Sequence, residues 1–485
     1  KKLNDVIIKN IEFYKGLNMH ELIKNSATEI RNKLINKEVK PTELVEISLD
    51  RIKEVDPIIN AMPTVCPERA MSHAKEIESK SESEKPYLQG IPLSIKDLVE
   101  VKGVRTTWGS PLFKDHIPTK SDILVQRLEK SGGIVVGKSN TPEFGAGANT
   151  FNDVFGPSLS PWNIKKTVGG SSGGAASSLV SGEVWLASGS DTGGSLRIPG
   201  SFCSVVGFRP SPGTVPTGPG NSPFDSISVS GPMARNTEDT ALMLNAMAGY
   251  YEFDPYSKKQ TPDYLNAVKE SKIPKKVAYS FDLGGEPLDP RVRASLEKSL
   301  KVFESMGSEL IEDCIDLSDA HHIIRVLRSL KFAAQAERLK NHRESLKPEI
   351  IWNIETGLKL TGAEVAEAEL LRAKLFNNTA EFFNKYDLLV CPTVMVPPFD
   401  VEIRYMEEVE GVKMDDYINW LYYTHSITLT SSPCVSLPAS FTDDGLPIGI
   451  QLVTECNNEY DLISYSQSFE KNNPNALKTP IDPKS

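Results

Sequence analysis

The chain has 485 residues, 39% hydrophobic and 24% charged, with 33 Gly and 33 Pro; that balance excludes a disordered polymer, a collagen-like fibre and a coiled coil. Its formal charge is −10, from 54 basic against 64 acidic residues, and no dense Lys/Arg run marks nucleic acid or anionic lipid as a partner.

Residues 19–80 predict helices. Pro41-Thr42-Glu43 opens one with a fixed φ and an acidic first turn, and Leu44, Val45, Leu49 and Ile52 recur on one face. A short charged linker, Ser81 to Pro86, follows. Beyond it, apolar runs such as Ile91–Val99, Ile134–Val136 and Val184–Ala187 alternate with helical segments. A helix over Ser121–Ser131 stops at Gly132-Gly133 and feeds a strand. Asp289-Pro290 caps a helix over Arg291–Met306 that ends at Gly307. Pro255 to Pro262 reads as a second linker, and a long helix over Ala363–Phe383 leads into the strand Leu388-Leu389-Val390. Helix, glycine and strand in repetition predict an α/β protein with a largely covered sheet. Neither internal repeats nor low-complexity tracts interrupt the pattern, so one extended domain over 1–485 is expected: helices over 1–80, a core over 86–240 and a variable region over 315–430.

The six cysteines (Cys66, Cys203, Cys314, Cys391, Cys434 and Cys456) are scattered without a CxxC pair. This argues against a disulfide framework or a zinc cluster and predicts a reducing, cytoplasmic setting. No apolar run reaches the ~20 residues of a membrane span. Residues 1–16 lack a signal-peptide core, although the start at Lys1 leaves open a leader already removed.

Three glycine-rich segments carry candidate chemistry. Gly132 to Ser139 (GGIVVGKS) formally fits the phosphate-binding loop GxxxxGK[ST], but a helix precedes it and Ile134-Val135-Val136 fills its middle, so it reads as a strand. Gly169 to Gly174 (GGSSGG) holds GxSxG centred on Ser171 and on Ser172. A hydrolase elbow there needs a buried strand before it, which Trp162 to Lys166 does not supply, and a histidine after it, for which His321, His322, His342 and His425 are available. Gly189 to Pro199 (GSDTGGSLRIP) follows a buried strand. Its paired glycines let consecutive N–H groups converge on one point, as an oxyanion hole requires, although a tight turn would use the same residues. A fourth segment, Gly90 to Asp97, ends an apolar run in Lys96; carried inward, that amine loses solvation and its pKa falls.

Taken together, Lys96, GGSSGG and DTGGS resemble the amidase signature family. Further matches are Arg197, Pro199, Phe202-Cys203, Val206 to Pro210, Gly213, Ser230 to Arg235, Asp387 to Pro392, Pro433 to Pro438 and Gly445 to Gln451. Each motif alone is weak; the ordered set, with 24 residues from Ser171 to Ser195, is specific. The resemblance implies an α/β/α sandwich around a mixed, twisted sheet of about eleven strands, with N-terminal helices and helical additions. It also implies a Lys–Ser–Ser triad: Ser195 as nucleophile, Ser171 as bridging serine behind a cis bond to Gly170, and Lys96 as the neutral base. Thr192, Gly193, Gly194 and Ser195 would supply oxyanion-hole amides. Ser190, Ser172, Asp191 and Arg197 would support the triad, with Asp191 and Arg197 paired. Neither metal nor organic cofactor enters this chemistry. The implied activity is hydrolysis of a small-molecule amide by a monomer or homodimer. The alternatives are an A-type subunit of glutaminyl-tRNA amidotransferase and a non-enzymatic binding protein.

Substrate class turns on one departure. Where the amidotransferase branch has an arginine pair, this chain reads Trp352-Asn353, and Leu421 stands at the acidic position upstream of Pro433. A zwitterionic glutamine needs charged partners. An apolar pocket formed by Trp352, Leu421, Tyr422 and Tyr423 is therefore expected, fitting uncharged amides, anilides, carbamates or esters. The competing expectation is that Trp352, Trp420, Tyr422 and Tyr423 are core residues of a helical cap.

Overall fold

In a computed structural model of the chain, residues 19–219 and 223–484 are described. Eleven strands form one sheet: β1 (Thr64–Val65), β2 (Pro92–Lys96), β3 (Ile134–Ser139), β4 (Leu186–Asp191), β5 (Val206–Arg209), β6 (Val229–Ala234), β7 (Lys276–Tyr279), β8 (Glu309–Glu312), β9 (Leu388–Pro392), β10 (Cys434–Phe441) and β11 (Pro447–Val453), in the order β1-β3-β2-β4-β6-β5-β10-β11-β9-β7-β8. Pairing is parallel in β3-β2-β4 and in β9-β7-β8, and antiparallel through the middle of the sheet.

Both faces are buried, and the period-2 rule shows how. Leu388 and Val390 enter one hydrophobic core while Leu389 and Cys391 enter another; Leu452 and Val453 divide the same way. Helices Thr237–Met247, Pro290–Ser305 and Glu459–Asn472 contribute to the first core. Part of the other face is covered by Gly173–Val180, whose Ala175, Ala176, Leu179 and Val180 pack with Ala187 of β4. The remainder lies under a helical cap of Ala320–Ala333, Pro348–Leu358, Gly362–Phe383 and Tyr422–Leu429. None of the described helices is both long and apolar enough to cross a membrane.

The expected helices differ from the observed ones by a residue or two at their ends, where caps decide. Asp122 caps Ile123–Lys130 through Leu124 N–H, and Thr361 with Glu364 forms a capping box that starts Gly362–Phe383 one residue early. Within 19–80 the helical expectation misses β1, two residues pairing with β3 at the sheet edge. GGIVVGKS is β3, as expected. Its Lys138 is fully buried against Asp97 at 3.0 Å, with Thr106 Oγ1 at 2.8 Å.

Candidate active site

Lys96 ends β2, and its side chain is wholly buried. Because β2 pairs with β4 in parallel (Leu93 opposite Leu186, Ser94 opposite Ala187), the carboxyl ends of both strands open at one place, the usual location of a crevice in such sheets. Nζ stands 2.7 Å from Ser171 Oγ, 2.8 Å from Ser172 Oγ and 3.0 Å from Ser190 Oγ. Burial pushes the Lys96 pKa down to about 7, against the opposing pull of the Asp191 carboxylate. A neutral amine has two N–H donors and one lone pair, so it satisfies three hydroxyls only if one of them donates to it. In its neutral form the amine thus accepts from one of the three serines around it.

Ser171 follows a cis peptide bond to Gly170, and Ser172 leads directly into the helix Gly173–Val180. The turn Glu143–Gly145 lies against Ser171: a Cβ built on Gly145 would stand 3.4 Å from its Oγ. Ser195 lies alongside, its carbonyl accepting from Ser172 N–H at 3.2 Å. Ser195 is half-buried, and its hydroxyl makes no hydrogen bond among the described residues. Among the described residues, none of His321, His322, His342 and His425 hydrogen-bonds Ser171, Ser172 or Ser195, and the histidine-based elbow is not assembled.

Asp191, the last residue of β4, organises the loop after it. Its carboxylate accepts from Gly194 N–H at 3.0 Å and Leu196 N–H at 3.1 Å, and from Arg197 in a two-pronged pair at 3.1 and 2.8 Å. Arg209 Nη1 reaches the Asp191 carbonyl at 2.6 Å and its carboxylate at 3.3 Å. Burial would raise the Asp191 pKa, but the two guanidiniums hold it far below the usual carboxylate range. This corrects one expectation: the Gly194 amide is spent on Asp191. Within this loop, and among the described residues, the amides of Thr192, Gly193 and Ser195 are the unengaged ones.

The loop is also clamped from the cap. Thr424 Oγ1 donates to Gly193 O at 2.7 Å, while Arg197 donates to Thr424 O, Thr428 Oγ1 and Gln451 Oε1. Gly194 sits at φ +120, and a Cβ there would overlap Thr424 Oγ1, so only glycine fits. Arg209, Thr424 and Gln451 have no role in the sequence reading. Arg209 and Gln451 lie in segments already noticed; nothing local marks Thr424.

One cavity borders the loop, and a second borders the turn Glu143–Gly145. The larger, of about 720 Å³, has Thr192 in its wall, with Thr217, Gly218, the 223–228 segment and the cap, including Arg328, Lys331 and Arg372. The smaller, of about 190 Å³, is largely aromatic and apolar, with Trp108, Phe144, Phe332 and Leu339. Lys331 and Gln335 belong to both walls. The expected apolar pocket does not form. Tyr422 and Tyr423 are buried with their hydroxyls donating to the backbone carbonyls of Leu317 and Glu286. Trp352 stacks edge-on to Tyr417 at 5.4 Å, and Leu421 packs into the cap core. None of the four lines either cavity. Trp420, Tyr422 and Tyr423 are buried in the cap, and Trp352 packs against it partly buried.

A buried lysine on a serine pair, next to a loop of free amides at the carboxyl ends of parallel strands, defines a serine-based hydrolase site without histidine. The sequence model of the amidase family matches residues 43–463. The acylamidase of Rhodococcus erythropolis is 32% identical over 472 residues, covering 96% of this chain and 98% of that protein. The A-type subunit of glutamyl-tRNA(Gln) amidotransferase from Thermosynechococcus vestitus is 32% identical over 475 residues, covering 92% and 97%. Among solved structures, a bacterial aryl acylamidase of the amidase signature family superposes with a TM-score of 0.87 at 26% identity, covering 93% of this chain and 97% of that one. The chain belongs to the amidase signature family, and it is an amide-hydrolysing enzyme.

Proposed function

We propose that the enzyme cleaves small carboxamides, aryl or alkyl, through an acyl-enzyme on Ser195, with carbamates and esters as chemically related substrates. The observation that carries this reading is the Lys96 Nζ contact with Ser171 Oγ, 2.7 Å in a fully buried setting. A serine hydroxyl is a weak nucleophile at its own pKa, so the proton must leave as attack proceeds. It passes from Ser195 to Ser171 and from Ser171 to Lys96, while the amides of Thr192, Gly193 and Ser195 take up the charge on the carbonyl oxygen. Lys96 returns the proton through Ser171 to the leaving nitrogen. Water then enters, gives its proton along the same path, and releases the acid. Ser190 and Ser172 hold the lysine; Asp191, Arg197 and Arg209 hold the loop.

In this reading residues 86–240 supply the chemistry and 315–430 shape the substrate cavity within one unit. The aromatic lobe of Trp108, Phe144 and Phe332 takes the apolar part of the substrate, next to the turn that touches Ser171. Similarity to an acylamidase supports this choice, and amidotransferase components are equally similar in sequence. The aromatic wall of Trp108, Phe144 and Phe332 favours the first. Steady-state assay of the purified chain, with no partner protein, on a neutral aryl amide and on glutamine tests it. Turnover of the aryl amide is expected; glutamine hydrolysis with no aryl-amide turnover would overturn it.

A further inference from the structure

The larger cavity has no occupant assigned by the catalytic chemistry. Its wall holds three cations, Arg328, Lys331 and Arg372, against two carboxylates, Asp225 and Glu369. Lys331 is already paired: its Nζ contacts Asp225 Oδ2 and donates to Ser228 Oγ at 2.6 Å. Ser228 Oγ in turn bonds Thr192 Oγ1 at 2.6 Å, which ties this wall directly to the oxyanion loop. The two guanidiniums are different. Arg372 contacts only hydroxyls, Ser226 Oγ at 2.9 Å and Ser431 Oγ at 3.4 Å. Arg328 donates to Tyr417 Oη at 2.9 Å. Neither is ion-paired with a carboxylate among the described residues, although both are half-buried.

Arg328 also lies over the Phe332 and Tyr417 rings, whereas Arg372 has lost water and gained only hydroxyl partners, which leaves it short of electrostatic compensation. Burial accordingly pushes the Arg372 pKa below its ordinary value, with Glu369 and Asp225 opposing from a distance. The guanidinium fork suits a carboxylate oxygen pair. Arg372 comes from the helix Gly362–Phe383 and Arg328 from Ala320–Ala333, so two separate cap elements direct cations to one cavity.

We propose that the larger cavity is a carboxylate subsite: the preferred substrates are amides that carry, away from the scissile bond, a carboxylate held by Arg372 and Arg328. This rests on the amidase reading and replaces the expectation of a wholly uncharged substrate, whose premise was a Trp352–Leu421 pocket that the structure does not form. The aromatic lobe then takes one side of the amide and the cationic lobe the other.

The test uses two pairs of probes of equal length. One pair places the charge on the acyl side (adipic acid mono-4-nitroanilide against the 4-nitroanilide of 6-oxoheptanoic acid, whose methyl ketone replaces the carboxylate). The other places it on the leaving side (an N-acyl-4-aminobenzoate against the matching N-acyl-4-aminoacetophenone). In at least one pair kcat/KM for the acid is expected to exceed that for the neutral partner by tenfold or more, mainly through KM. Arg372→Ala should reduce that ratio at least tenfold. Arg372→Glu should invert it, an outcome that misfolding cannot produce. Equal or better turnover of the neutral partner in both pairs would overturn the subsite, as would an unchanged ratio in both variants. Such a result with neutral amides still hydrolysed would leave the proposed function standing; failure of every amide would instead remove that function.

Discussion

The Gly194 N–H donates to Asp191 Oδ1 at 3.0 Å. The two adjacent glycines thus differ: the Gly194 amide is tied into the loop's framework, and the Gly193 amide has no partner among the described residues. Their surroundings differ accordingly: a Cβ on Gly193 would have no contact closer than His425 Cβ at 3.6 Å, whereas one on Gly194 would overlap Thr424 Oγ1.

From this follows a contrast between two single substitutions. Gly194→Ala should lower both the unfolding temperature and the activity, since it forces a left-handed φ on alanine and displaces Thr424. Gly193→Ala should leave the melting temperature near that of the wild type while reducing kcat. Thermal unfolding alongside steady-state assay checks it. Equal melting temperatures for both variants would show that the Thr424 contact does not constrain the loop.

Removing Asp191 should be a stability defect before it is a catalytic one. Asp191→Asn leaves Arg197 and Arg209 buried without their shared counter-charge, a change expected to cost about 3–5 kcal/mol. Denaturant unfolding at pH 7 measures this directly. A loss below about 1 kcal/mol would mean that Gln451, Thr424 and Thr428 alone satisfy Arg197.

The nucleophile can be identified chemically. A fluorophosphonate probe should modify the peptide that contains Ser195, and Ser195→Ala should abolish labelling. Modification at Ser171 or Ser172 would reassign the roles of the three serines.

For the base, the sign of the pH dependence is fixed by its depressed pKa. With Lys96 titrating near 7, the active neutral amine is the minor form below that pH and dominates above it. Thus kcat/KM should rise with pH through one ionisation near 7 and then level off. Lys96→Ala should lower kcat/KM by ~10²–10⁴ and remove that ionisation from the residual profile. A variant with near wild-type rates and the same profile would exclude Lys96 as the base.

The sequence carries the catalytic centre further than the specificity region, for physical reasons. Lys96, Ser171 and Ser195 lie in short segments whose local constraints, an apolar strand ending in a charge and paired glycines before a serine, are visible residue by residue. The supports that hold them are not: Thr424 reaches Gly193 across 231 positions, and Arg197 reaches Gln451 across 254. Trp352 and Leu421 are misplaced by sequence alone because helix–helix packing decides which side of a cap helix meets the cavity, and a sequence offset carries no such information. The cations that do line it, Arg328, Lys331 and Arg372, read as ordinary helix-surface charges.

The parallel pairing of β2 with β4 has a consequence for how such an enzyme changes over time. The strands that carry Lys96 and Ser190 are paired through Leu93 with Leu186 and Ser94 with Ala187, main-chain pairing that most side-chain substitutions leave in place. Arg328 and Arg372 instead project from helices docked onto the sheet by side chains, where exchange of one exposed or half-buried residue for another changes stability little. Selection can therefore rewrite which molecules are accepted, one cap position at a time, while the bond-breaking apparatus is inherited intact.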